Sequence, residues 1–161
     1  MAAIARTRFA GVYTDGRGLM TKNLAPGCSV YGETLDYNRP KTPDPSMGED
    51  TFSVEWTGKV KTDFNEKYVF HTFSDDGVKV LLDGTTIIDN WADHTPANDE
   101  STPLLMTIGK HDIVVKFREN TGDAIIRLCW YTKNSGNVSD QIIPAANLYD
   151  ASNVVGGLSG K

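Results

Sequence analysis

The stretch Tyr68-Val69-Phe70-His71-Thr72-Phe73-Ser74-Asp75-Asp76-Gly77-Val78-Lys79-Val80-Leu81-Leu82-Asp83-Gly84-Thr85-Thr86-Ile87-Ile88-Asp89-Asn90-Trp91 decides the fold. Its first run places Tyr68, Phe70 and Thr72 on one side of an extended chain and Val69, His71 and Phe73 on the other. Two further runs follow, Val78–Leu82 and Thr86–Trp91, rich in β-branched and aromatic residues. Asp76-Gly77 and Asp83-Gly84 separate the three runs, and Asp-Gly between alternating segments is a strong hairpin signal.

The same pattern extends outward. Phe52-Ser53-Val54-Glu55-Trp56 alternates with period two. Asp112–Arg118 and Ala124–Tyr131 are strand-like, with Asn120-Thr121-Gly122-Asp123 expected as the loop between adjacent strands. Short strands at this spacing, with little helical periodicity, predict an all-β antiparallel sandwich or barrel. Arg39 to Asp50 holds three prolines and reads as a long surface loop. Trp56, Trp91 and Trp130 are expected in the core. Residues 1–150 are expected to form one domain, with 151–161 as a flexible linker tail.

The 161 residues carry a net charge of -5, which argues against a phosphate-backbone partner. No apolar run reaches the length of a membrane span, so no membrane insertion is expected. The first six residues do not form a signal peptide, so the chain is expected to be either cytosolic or a domain of a longer secreted chain. Cys28 and Cys129 are the two cysteines, and their spacing leaves both a disulfide and two idle thiols open. His71, His94 and His111 lack zinc-like spacing, and His71 is expected as a residue on a sheet face.

Asp75-Asp76 is the candidate site. From spacing alone, Ser74-Asp75-Asp76-Gly77 is most simply a polar hairpin tip. A cis peptide between the two aspartates would put both carboxylates on one side, where their oxygens would suit calcium. Asn120 could add an amide oxygen, and the carbonyls of Thr121, Gly122 and Asp123 could turn inward. A glycosidase dyad does not fit, because such carboxylates flank a sugar about 5 Å or more apart. No enzyme activity is expected.

Taken in order, Phe52–Gly58, Tyr68-Val69-Phe70, Ser74–Gly84, Ile87–Trp91, Leu105–Ile113, Leu128-Cys129-Trp130 and Ile143–Tyr149 strongly resemble the PA14 domain family, over roughly residues 7 to 150. Phe9-Ala10-Gly11-Val12-Tyr13 fits the family's opening strand. The resemblance implies a non-catalytic β-sandwich or barrel. Through the family's lectin-like members, the flocculins and bacterial adhesins, it also implies a calcium ion held by a cis-linked Asp75-Asp76 pair, by Asn120 and by carbonyls within Thr121 to Asp123. The expectation is therefore a calcium-dependent lectin module of an extracellular adhesin. Asp75, Asp76, Asn120, Gly122 and Asp123 would meet cell-surface or polysaccharide glycans, and the module would be a monomeric domain in a longer chain. The alternative is a structural or accessory module, with calcium serving stability alone.

Overall fold

The structure, a computed structural model, describes residues 8–9, 12–14, 50–122 and 124–160. Among them the strands are β1 (Arg8–Phe9), β2 (Val12–Thr14), β3 (Phe52–Thr62), β4 (Glu66–Asp75), β5 (Val78–Leu82), β6 (Thr85–Asn90) and β7 (Ala97–Glu100). They continue with β8 (Leu104–Met106), β9 (Gly109–Glu119), β10 (Ile125–Thr132), β11 (Gln141–Ile142), β12 (Leu148–Tyr149) and β13 (Leu158–Gly160). A 3-10 turn, Ala145–Asn147, precedes β12.

The strands form two antiparallel sheets. The first runs β1-β13-β3-β9-β5-β6, with β12 also on β3. The second runs β11-β10-β4-β7, with β2 on β10 and β8 on β4. The all-β sandwich expected from the alternation is present. Its core lies between the sheets, where β3 contributes Val54, Trp56 and Val60, β9 contributes Ile113, Val115 and Phe117, and β10 contributes Ile126, Leu128 and Trp130. Trp56 stacks on Phe117 at 6.4 Å, and Tyr68 meets Trp130 at 5.3 Å. Each such aromatic contact adds roughly 0.5–1.5 kcal/mol beyond area burial.

On β4, Tyr68 and Phe70 face this core, while Phe73 joins a second apolar cluster with Ile125 and Cys129. Both faces of β4 are thus covered, and His71 lies on the outer face with its Nε2 2.7 Å from Asp140. Cys129 is disulfide-bonded. The sequence's other cysteine, Cys28, lies outside the described residues, as do Ala10, Gly11 and residues 39–49 of the expected surface loop.

Several expectations need correction. Asp83-Gly84 is a true hairpin turn, because β5 pairs with β6 and Leu82 faces Thr85. Both turn residues have positive φ, 47° and 79°, as a two-residue hairpin of the primed type requires. Asp76-Gly77 is not a hairpin. It carries the chain from β4 in the second sheet to β5 in the first. The loop after Asn120 likewise crosses from β9 to β10, which do not pair. An Asp-Gly dipeptide marks a reversal but not the sheet that receives the next strand. Trp91 is 39% exposed rather than core, because β6 ends at Asn90 and the ring falls on the following loop beneath Arg118. The tail read as a linker returns to the first sheet. There Leu158 is fully buried, and Ser159 and Gly160 pair with Thr57 and Trp56. Its glycines suggest flexibility, but Leu158 has apolar surface to hide.

Candidate functional site

The two sheet crossings meet at one end of the sandwich. Val78, the first residue of β5, pairs with Phe117 near the end of β9. Ile125, the first residue of β10, pairs with Asp75 at the end of β4. The ends of β4 and β9 are therefore side by side, and the Arg118 amide donates to the Gly77 carbonyl at 2.9 Å. Gly77 is required here by close approach. A Cβ on it would come within 2.9 Å of Arg118 Cγ and 3.1 Å of the Ala92 carbonyl oxygen.

The Asp75-Asp76 peptide is cis, as expected. Asp76 is buried, and its carboxylate joins two loops. Its Oδ1 accepts from the His94 amide and its Oδ2 from the Asn120 amide, both at 2.9 Å. A carboxylate from the end of β9, Glu119, completes a cluster with Asp75 and Asp76 in which one oxygen of each lies within 4.8 Å of the others. Glu119 and Asp76 are only 3% and 5% exposed. Three carboxylates this close, two of them out of water, repel strongly unless a cation sits among them. Oxygen donors on converging loops fit a hard divalent ion such as calcium.

Sequence reasoning missed Glu119. The alternation of β9 could have found it. Ile113, Val115 and Phe117 face inward, so the next inward position is Glu119, an acid where the pattern calls for an apolar residue.

The remaining expected residues are placed less uniformly. Asn120 is exposed and follows Glu119 in the chain. Its backbone carbonyl accepts from the Thr51 amide at 2.8 Å, and its side-chain amide donates to Asp93 Oδ2 at 2.8 Å. Thr121 and Gly122 are exposed beyond it, and the Gly122 amide donates to Asp50 Oδ1 at 3.3 Å. Asp123 lies outside the described residues. Asp93 also pairs with Arg118, whose guanidinium lies 5.9 Å from the Trp91 ring centre. Neither Asp93 nor the His94 amide was anticipated, because the segment after β6 has no pattern that announces its partners.

The two-sheet sandwich thus carries, at its crossings, a cluster of three carboxylates whose chemistry fits a hard cation. The PA14 domain model matches residues 31–142, and the chain belongs to that family. Over 109 residues it is 38% identical to "Anti-sigma-I factor RsgI3" of Acetivibrio thermocellus, a match that covers 67% of this chain and 16% of that protein. The chain thus spans about a sixth of the curated relative's length. A solved anti-sigma factor domain-containing protein is 30% identical, with a TM-score of 0.66, over 87% of this chain and 40% of that one. A "PA14 sugar-binding domain from RTX adhesin" is 14% identical, with a TM-score of 0.51, over 82% of this chain and 75% of that one; it shares the fold alone.

These relatives overturn the expectation of a lectin module from an extracellular adhesin. The two relatives at 30% identity or more reported above are an anti-sigma-I factor and an anti-sigma factor domain-containing protein, and neither is named as a lectin or adhesin. The misreading has a physical source. The lectin expectation came from the resemblance to the family's lectin-like members, and a pair of adjacent aspartates says nothing of what approaches from outside.

Proposed function

We propose that this chain is a regulatory PA14 module of an anti-sigma-factor-type protein, acting through a protein partner. Its two crossing loops are locked by a calcium ion held by Asp75, Asp76 and Glu119. The observation that carries the regulatory reading is the 38% identity to an anti-sigma-I factor over 109 residues. The observation that supports calcium is the trio of carboxylates within 4.8 Å. Asn120 and carbonyls of Thr121 and Gly122 are the neighbouring oxygens available to complete the shell. When bound, the ion supplies the positive charge that lets these carboxylates share one corner.

The chain's own residues do the rest. Asp76 fixes the positions of His94 and Asn120 through their amides. The Arg118 amide holds the end of β9 against Gly77. The loops that meet a partner are thereby set in one arrangement, and the module carries out no chemistry. A membrane-associated, signal-receiving setting suits the anti-sigma relatives, and a disulfide at Cys129 is at home in an oxidising compartment.

The test is a module exchange. The chain replaces the matching segment of the anti-sigma-I relative, and transcription from a sigma-I-dependent reporter is measured. Regulation retained by the exchange and lost on deleting the segment supports the reading. An exchange that behaves like the deletion overturns it.

A further inference from the structure

We propose that Asp93, outside the carboxylate cluster, is a positioning residue that orients the Asn120 amide for the cation. The proposal rests on the calcium reading above and adds a determinant of affinity to it. A side-chain amide has a donor end and an acceptor end, and only the oxygen can ligate a cation. The Asn120 Nδ2 donates to Asp93 Oδ2 at 2.8 Å. That bond commits the nitrogen to Asp93 and leaves Oδ1 as the end free to ligate. Without Asp93 the amide can rotate, and the oxygen is presented only part of the time.

Asp93 is itself held from two sides. Its other oxygen takes the guanidinium of Arg118, so its charge is met by an arginine. The stem of Arg118 packs against Gly77, in the turn that follows Asp76. The next residue, His94, donates its amide to Asp76 Oδ1. A closed circuit therefore runs from Asp76 through His94 and Asp93 to Asn120, and back through the Asn120 amide to Asp76. The loop after β6 is thereby tied to both crossings. Residues that orient metal ligands typically alter metal affinity by roughly 10–100-fold when removed.

The experiment is calorimetric titration of the chain with calcium chloride after chelator treatment. Wild type is compared with Asp93→Ala, Asp93→Asn, Asn120→Ala and the double variant Asp93→Ala/Asn120→Ala. Asp93→Ala is expected to bind calcium about tenfold more weakly. Asp93→Asn, whose carbonyl can still accept from Asn120, should keep most of the affinity. The double variant should bind no more weakly than Asn120→Ala alone, which a merely structural loss would not produce. Unchanged affinity in Asp93→Ala, or an equal further loss in the Asn120→Ala background, overturns the proposal. If wild type binds and Asp76→Ala does not, while Asp93→Ala matches wild type, only this proposal fails. If wild type binds no calcium, the calcium reading fails with it. Should Asp93→Ala fold poorly by circular dichroism, the comparison of Asp93→Asn with wild type still decides. Asp93→Asn as weak as Asn120→Ala would count against the orienting bond.

Discussion

Replacing Glu119 by Gln should change stability in opposite directions with and without calcium. Glu119, Asp75 and Asp76 each place an oxygen within 4.8 Å of the others. At an effective dielectric of about 20, each such pair of charges repels by roughly 3–4 kcal/mol. The repulsion is bounded, because a carboxylate can take up a proton instead. For a glutamate at pH 7 that escape costs about 3.7 kcal/mol. In chelator, then, Glu119→Gln removes one charge from the cluster and should stabilise the fold by about 1–3 kcal/mol. With calcium at a hundred times its Kd, wild type gains about 2.7 kcal/mol and the variant gains little. The assay is urea unfolding followed by tryptophan fluorescence, in chelator and in calcium. The stability difference between the two proteins should move by about 2–3 kcal/mol in favour of wild type when calcium replaces chelator. The same difference in both buffers, or a variant weaker than wild type in chelator, would refute the reasoning.

Asp76→Ala leaves two part-buried backbone donors, the amides of His94 and Asn120, without their carboxylate. It should cost about 2–4 kcal/mol in calcium-free urea unfolding, offset in part by relieved repulsion. A loss under about 0.5 kcal/mol would mean those bonds do not hold the loops. Leu158→Ala should cost about 2–5 kcal/mol by thermal or urea unfolding, since the side chain is fully buried. A negligible change would return the C-terminal residues to the status of a linker. At His111, partial burial disfavours the charged ring, but the Thr107 carbonyl and Asp83 outweigh it, and the pKa is raised above 6.5. The protonated ring therefore adds stability below about pH 6.5 that is lost as pH rises through the folded value. Proton NMR should show a midpoint above 6.5 that falls in Asp83→Ala, and a midpoint at or below 6.5 would contradict this.

The sandwich was legible because period-two alternation reports burial directly. Phe52, Val54 and Trp56 on β3 face inward as their spacing implies, and so do Tyr68 and Phe70 on β4. The Asp83-Gly84 hairpin was legible for the same local reason. The two crossings were not, because turn chemistry at Asp76-Gly77 is local while the choice of sheet is made by distant strands. Asp75, Asp76 and Asn120 stood out through the family resemblance, since spacing alone reads Ser74–Gly77 as a polar hairpin tip, and the fold brings Asp75 and Asp76 together with Glu119. Glu119 was hidden at the end of an apolar stripe, and Asp93 in a loop without a pattern. Trp91 shows the limit of composition: an aromatic one residue past a strand's end need not follow its neighbours inward. Function was the least legible of all. A carboxylate cluster does not identify what approaches it from outside, and only the anti-sigma relatives moved the proposed reading from glycan binding to regulation.

That one calcium ion ties the two crossings together is the claim on which the rest depends. It is tested most directly by counting bound calcium, using equilibrium dialysis against a calcium buffer followed by elemental analysis. One calcium per chain is expected for wild type, and none for Asp75→Ala or Glu119→Ala. Wild type without calcium, or variants that keep it, would contradict the account.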